Sequence, residues 1–102
     1  MPFVVEYERD GARLVLSGHV GVADAAALHA ALLALVAVPG RVAIDQARLA
    51  GCDASLVQLA IAFGRARRAG GRPLSLGEGP LTDRLVQLDL AREIEAEAPT
   101  PR

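Results

Sequence analysis

Apolar positions along the chain change period several times, and each change marks an element. Residues 3–8, FVVEYE, alternate: Phe3, Val5 and Tyr7 fall on one face and Val4, Glu6 and Glu8 on the other, which predicts a strand. Asp10–Gly11 is a hairpin signal, because Gly tolerates the positive φ of a tight turn. Residues 13–18, RLVLSG, are the returning strand, with Leu14 and Leu16 alternating with Arg13 and Val15. The period then lengthens. Leu28, Leu32, Leu35 and Val36 recur at helical spacing, and Pro39–Gly40 stop the helix. Ala23 or Asp24 caps it, with Asp24 favoured because a carboxylate accepts hydrogen bonds from orphan N–H groups. Residues 41–45, RVAID, have the composition of a buried central strand. Residues 46–52 read as a connection.

A second helical pattern runs from about Ala54 to Ala69, with Leu56, Leu59, Ala60 and Phe63 as its buried stripe and Gly70–Gly71 as its end. RPLSL is a short strand with Pro73 at its first residue or on an edge. GEGP is a turn. Pro80 suits the first turn of a last helix, PLTDRLVQLDL, in which Leu81, Leu85 and Leu88 share a face. The remainder, residues 92–102, is acidic and then Pro-rich, and is expected to fray. The order β-β-α-β-α-β-α requires crossover connections, so the fold class is α/β: one domain over residues 1–102, with a mixed sheet of about four strands and about three helices packed on it.

Composition narrows the function classes. Apolar residues make up 52% of the 102 and charged residues 23%, enough to bury a core. The net charge is −1 and all 11 basic residues are Arg, spread along the chain, which argues against a nucleic-acid face. The one basic cluster, Arg65, Arg67 and Arg68, is read as a solvated helix end, where cations favour the negative pole of the dipole. The longest apolar stretch, Ala25 to Val38, is broken by His29 and is too short to span a bilayer. No signal peptide precedes the first strand, and the single Cys52 allows no intrachain disulfide, so a cytoplasmic location is expected.

Candidate chemistry is sparse. Asp53 is first of all a good N-cap for the second helix. Asp45 ends the central strand, where it could face a ligand crevice together with Gly77, or hydrogen-bond the next loop. Gly77 and Gly79 in LGEGP match no phosphate-cradle spacing. His19 and His29 have no metal-ligand spacing, and Cys52 is read as a small apolar residue, so no metal, cofactor or catalytic residue is expected.

Three ordered stretches resemble one family. LVLSGHVGVADAAALHAAL, RVAIDQARLAGCDASLVQL, and RRAGGRPLSL followed by LTDRLVQLDL are together similar to the STAS domain, the module named for sulfate transporters and anti-sigma-factor antagonists. In the antagonists, a partner kinase phosphorylates a Ser or Thr that follows an Asp before the second helix. The resemblance places that Asp on Asp53 and the phosphorylated position on Ala54, which has no hydroxyl to accept a phosphoryl group. Ser55 comes one residue later, turned by about 100° on the helix, and Leu56 replaces the Gly usual next. If Ser55 is not a phosphorylation site, its hydroxyl hydrogen-bonds at the helix start.

The resemblance therefore implies a non-enzymatic bacterial regulatory module without the usual switch. It would dock on an anti-sigma factor or kinase-like regulator of a sigma-factor or chemotaxis circuit through Asp53, Ala54, Ser55 and Leu56, with Leu56 and Val57 supplying apolar contact area. It also allows a cytoplasmic subunit docking on the ATPase of a phospholipid-transporting ABC system, or a nucleotide or small-molecule binder at the crevice near Asp45 and Gly77.

Overall fold

The hairpin comes first. Strand β1 (Phe3–Glu8) pairs antiparallel with β2 (Gly11–Val20), from Phe3 opposite Leu16 to Glu8 opposite Gly11. That register makes Arg9–Asp10 the two-residue turn, so Gly11 opens the second strand instead of sitting in the turn. The computed structural model describes residues 2–72 and 74–90. The expectations for Pro73 and for the acidic stretch 92–102 lie outside them.

Beyond β2 a single 3-10 turn, Val22–Asp24, leads into α1 (Ala25–Val36). Asp24 accepts from the Gly21 N–H at 3.1 Å, which fixes the entry to the helix. Leu28, Leu32 and Leu35 are buried, as their spacing predicts. Strand β3 (Arg41–Cys52) then runs parallel to β2, α2 (Ala54–Ala69) crosses back, and the three-residue β4 (Leu74–Leu76) pairs parallel with β3. Helix α3 (Pro80–Gln87) follows.

Residues 46–52 are strand, which corrects their reading as a connection. The cause is bulging. Val15 lies opposite Asp45 but Ser17 opposite Arg48, and Gly18 lies opposite Leu49 but His19 opposite Gly51. At both places β3 carries one residue more than β2. Each extra residue interrupts the inward–outward alternation by which a strand is recognised.

The sheet order is β1-β2-β3-β4. Both crossovers step in the same direction, and parallel crossovers share one hand, so α1 and α2 lie on one face of the sheet and pack against each other. Leu14, Leu16, Val42, Ile44 and Leu74 of the sheet meet Leu28, Leu35, Phe63, Leu81 and Leu85 of the helices in one core. Val4, Glu6, Arg13 and Arg48 stand exposed on the opposite face. There Arg13 lies 3.4 Å from Glu8 and 3.8 Å from Asp45, pairs that count for little in water. Helix α3 ends at Gln87, so Leu88 is exposed and does not join Leu81 and Leu85.

Arg67 corrects the reading of the basic cluster. It is 0% exposed. Its guanidinium donates to the carbonyls of Leu35 at 3.2 Å, Val36 at 3.1 Å, Val38 at 2.7 Å and Gly40 at 2.8 Å. Helix ends leave such carbonyls without intrahelical donors, and the planar fork of an arginine can serve several at once. Only Arg65 and Arg68 of the three are exposed.

Candidate functional site

The start of α2 is built by one carboxylate. Asp53 has extended backbone, φ −111° and ψ −173°, as an N-cap requires. Its Oδ1 accepts from the Ser55 N–H at 2.9 Å. Its Oδ2 accepts from the Val22 N–H at 3.1 Å, across 31 residues of sequence. Asp53 thus caps α2 and also holds the turn that begins the path into α1. The approach is close: a Cβ on Gly21 would stand 2.7 Å from Asp53 Oδ2 and would displace the carboxylate. Partial desolvation pushes the Asp53 carboxyl up. The Ser55 and Val22 N–H groups, the Ser55 hydroxyl and the Leu56 N–H outweigh it and hold the carboxyl below its ordinary range.

Ala54 is exposed at the first position of α2. Ser55 is half-buried, with its N–H and hydroxyl turned to Asp53. Leu56 and Val57 are 3% and 4% exposed and pack in the core. They supply no contact area to a partner, which corrects the expectation that Leu56 belongs to the docking surface. The spacing of the buried stripe, which also claims Leu56, prevails. A charge placed at Leu56 would test folding and not docking.

Asp45 and Gly77 do not form a crevice together. The Asp45 carboxylate sits on the helix-free face, accepting from the Ala47 N–H at 2.9 Å. Gln46 points the other way and is 2% exposed. Its amide nitrogen donates to the Gly77 carbonyl at 2.8 Å and to Thr82 Oγ1 at 2.7 Å. Its amide oxygen accepts from the Leu81 and Thr82 N–H groups at 2.8 and 3.2 Å, capping α3. Gly79, with φ 154°, brings the chain so near that a Cβ there would lie 2.7 Å from Gln46 Cβ. The space proposed for a ligand is filled by this side chain. Gln46 was not singled out in the sequence; an amide two residues after Ile44, on the inward parity of β3, was the available signal.

His19 lies exposed at the end of β2 and His29 on α1. Among the described residues, no three of His, Cys, Asp and Glu come together as metal ligands would. Cys52 is half-buried; burial pushes its thiol up, Arg84 opposes this and Asp53 adds to it, so the thiol stays protonated near neutral pH. Among the described residues no helix is long and apolar enough to cross a membrane.

Similar proteins carry the same layered arrangement. The crystal structure of Mglu superposes with a TM-score of 0.65 and 26% identity over 74% of this chain, which spans 19% of the length of Mglu. The anti-sigma factor antagonist SpoIIAA in its unphosphorylated form superposes at 0.71, with 19% identity over 84% of this chain and 82% of that one. The Bacillus cell fate determinant SpoIIAA in the phosphorylated form superposes at 0.72, again with 19% identity, over 90% and 86%. No curated protein sequence matches. A sequence model of one family runs from the first residue of β1 through α3, matching residues 3–92, and by that match the chain belongs to the family described as Mlab, STAS domain.

Proposed function

We propose that the chain is a non-enzymatic docking module that binds a regulatory protein through the surface around Asp53, Ala54 and Ser55. The observation that carries this reading is the exposed methyl of Ala54 at the mouth of α2, flanked by a carboxylate engaged in capping and by a Ser55 hydroxyl turned to that carboxylate. Such a surface offers shape but no nucleophile. In a STAS domain this position is where the family's phosphorylated hydroxyl would stand, so binding here is constitutive or controlled elsewhere. No step of phosphoryl transfer is assigned to this chain.

The test is Ala54→Glu. A carboxylate in the first turn suits the helix dipole, so the fold should keep its melting temperature. Affinity capture from the native cell extract should lose one specific protein, by about 10-fold or more, the equivalent of about 1.4 kcal/mol. Its identity, a kinase-like regulator or a transporter ATPase, then names the circuit. Capture of the same proteins in the same amounts by wild type and variant would remove this face as the interface.

A further inference from the structure

The two edges of the sheet differ. At one, β4 is only three residues long. At the other, β1 is six residues of unbroken strand with no proline, bulge or lysine among them. Short length, proline, bulges and lysine are the usual means by which an edge is kept from pairing with another chain.

The hairpin fixes which backbone groups this edge presents. In a two-residue hairpin the residues that close the turn exchange backbone hydrogen bonds, and bonded and non-bonded pairs alternate from there. Glu8 and Gly11 close this one, so Val4, Glu6 and Glu8 turn their N–H and C=O groups toward β2. The Ser17 N–H donates to the Pro2 carbonyl at 2.8 Å, which continues the same parity to the start of the strand. Phe3, Val5 and Tyr7 therefore turn their N–H and C=O groups outward, where no other strand pairs with β1 among the described residues.

That row is self-complementary. A two-fold axis through Val5 sets two copies of β1 antiparallel, with Val5 opposite Val5 and Phe3 opposite Tyr7. Every outward group of the three residues then finds a partner, about six hydrogen bonds across the seam. Pro2, which has no N–H, falls opposite Glu8, at a position where no bond is made. Phe3 and Tyr7 are two of the chain's three aromatic residues and stand at equal distances from Val5. In this register each meets the other across the seam, an aromatic pair on either side of the axis. Tyr7 is 67% exposed in the single chain, so it is open to such a pair. On the helix-free face Val4 stands opposite Glu6, and the carboxylates do not oppose one another. Moving the axis to Glu6 sets Glu6 against Glu6, and moving it to Val4 leaves Tyr7 without a partner.

We propose that two copies of this chain join β1 to β1 in this register, making one continuous sheet. The dimer is closed, because each copy spends its one long edge on the other. The seam uses neither Asp53 nor α2, so the proposal goes beyond the docking reading and does not rest on it.

The test measures sedimentation of the full chain at concentrations up to about 1 mM, together with amide hydrogen exchange by NMR. Wild type should dimerise, and the amides of Phe3, Val5 and Tyr7 should become protected as concentration rises. Val4→Glu places a carboxylate opposite Glu6 twice in the dimer and should raise its dissociation constant about 10-fold or more. Val4 is already exposed, so the melting temperature of the dilute monomer should not change. Adding Glu6→Lys turns the repulsion into two ion pairs and should restore the dimer. Val5→Pro removes an outward N–H without touching the bonds to β2 and should also dissociate it. A wild type that stays monomeric at every concentration would overturn the proposal. So would a dimer in which the three outward amides exchange freely, or one that Val4→Glu leaves intact or Glu6→Lys fails to restore. Ala54→Glu should leave the dimer unchanged, so failure of the docking reading and failure of this one are told apart.

Discussion

Helix α2 is tied to the chain before it at both ends, by opposite means. At its start Asp53 is at the surface and accepts from N–H groups of two segments, α2 itself and the turn leading to α1. Near its end Arg67 is fully buried and donates to four carbonyls between Leu35 and Gly40. Each side chain serves the pole of a helix where backbone groups lack partners. The difference is water. Solvent can replace much of what Asp53 provides, whereas Arg67 holds one fully buried guanidinium against four carbonyls. A partner can therefore approach the start of α2 and meet a surface, but the Arg67 end belongs to the scaffold.

The comparison breaks most visibly at Arg67. Arg67→Ala removes the donor from a cluster of carbonyls and should cost at least about 3 kcal/mol, the scale of breaking a buried charged hydrogen-bond network. Urea unfolding by circular dichroism measures it. A loss under about 1 kcal/mol would mean that water reaches these carbonyls and that the two ends are alike.

Asp53→Ala sharpens the other side. It removes both the α2 cap and the hold on Val22, and its loss should be smaller than that of Arg67→Ala. The sign of its pH dependence follows from the lowered carboxyl. In the unfolded chain Asp titrates near about 3.9. In the folded chain the hydrogen bonds favour the charged form, so the native state binds fewer protons. The stabilisation is complete above the unfolded value and is lost as pH falls through the lower folded value. The gap between wild type and Asp53→Ala should therefore be constant at neutral pH and close in strong acid. A gap that persists in acid would show that a neutral carboxyl caps equally well.

What the sequence conveys follows the same division. The bounds of α2 and its cap are readable because Asp53, an apolar period and Gly70 are local signals. The length of β3 is not, because two bulges break its alternation and its pairing with the end of β2 is a long-range fact. Arg67 escapes because a charged residue suggests solvent, although it continues the row of Leu56, Ala60 and Phe63 at helical spacing. Leu56 shows the reverse error: its stripe position already buries it, and only the resemblance suggested a surface role. Asp45 and Gly77 both follow strand patterns in the sequence, but strand parity sends Asp45 to the far face and turns Gln46 toward Gly77.

The smallest expected effect on stability is also the sharpest question about the start of α2. Ala54→Ser changes one exposed residue, and its stability should stay within about 0.5 kcal/mol of wild type. If only the missing oxygen separates this chain from a phosphorylated STAS domain, the variant incubated with ATP in native extract gains a phosphoryl group at residue 54. The new dianion would sit beside Asp53, which is already ionised and committed to two N–H groups. Repulsion between the two would loosen the tie between α2 and the turn at Val22. Mass spectrometry of the peptide containing residue 54, in wild type and variant, reads the outcome. Phosphate on Ser55 of the wild type would show that the hydroxyl held by Asp53 is accessible after all, and that the surface at Ala54 carries a switch one residue further on.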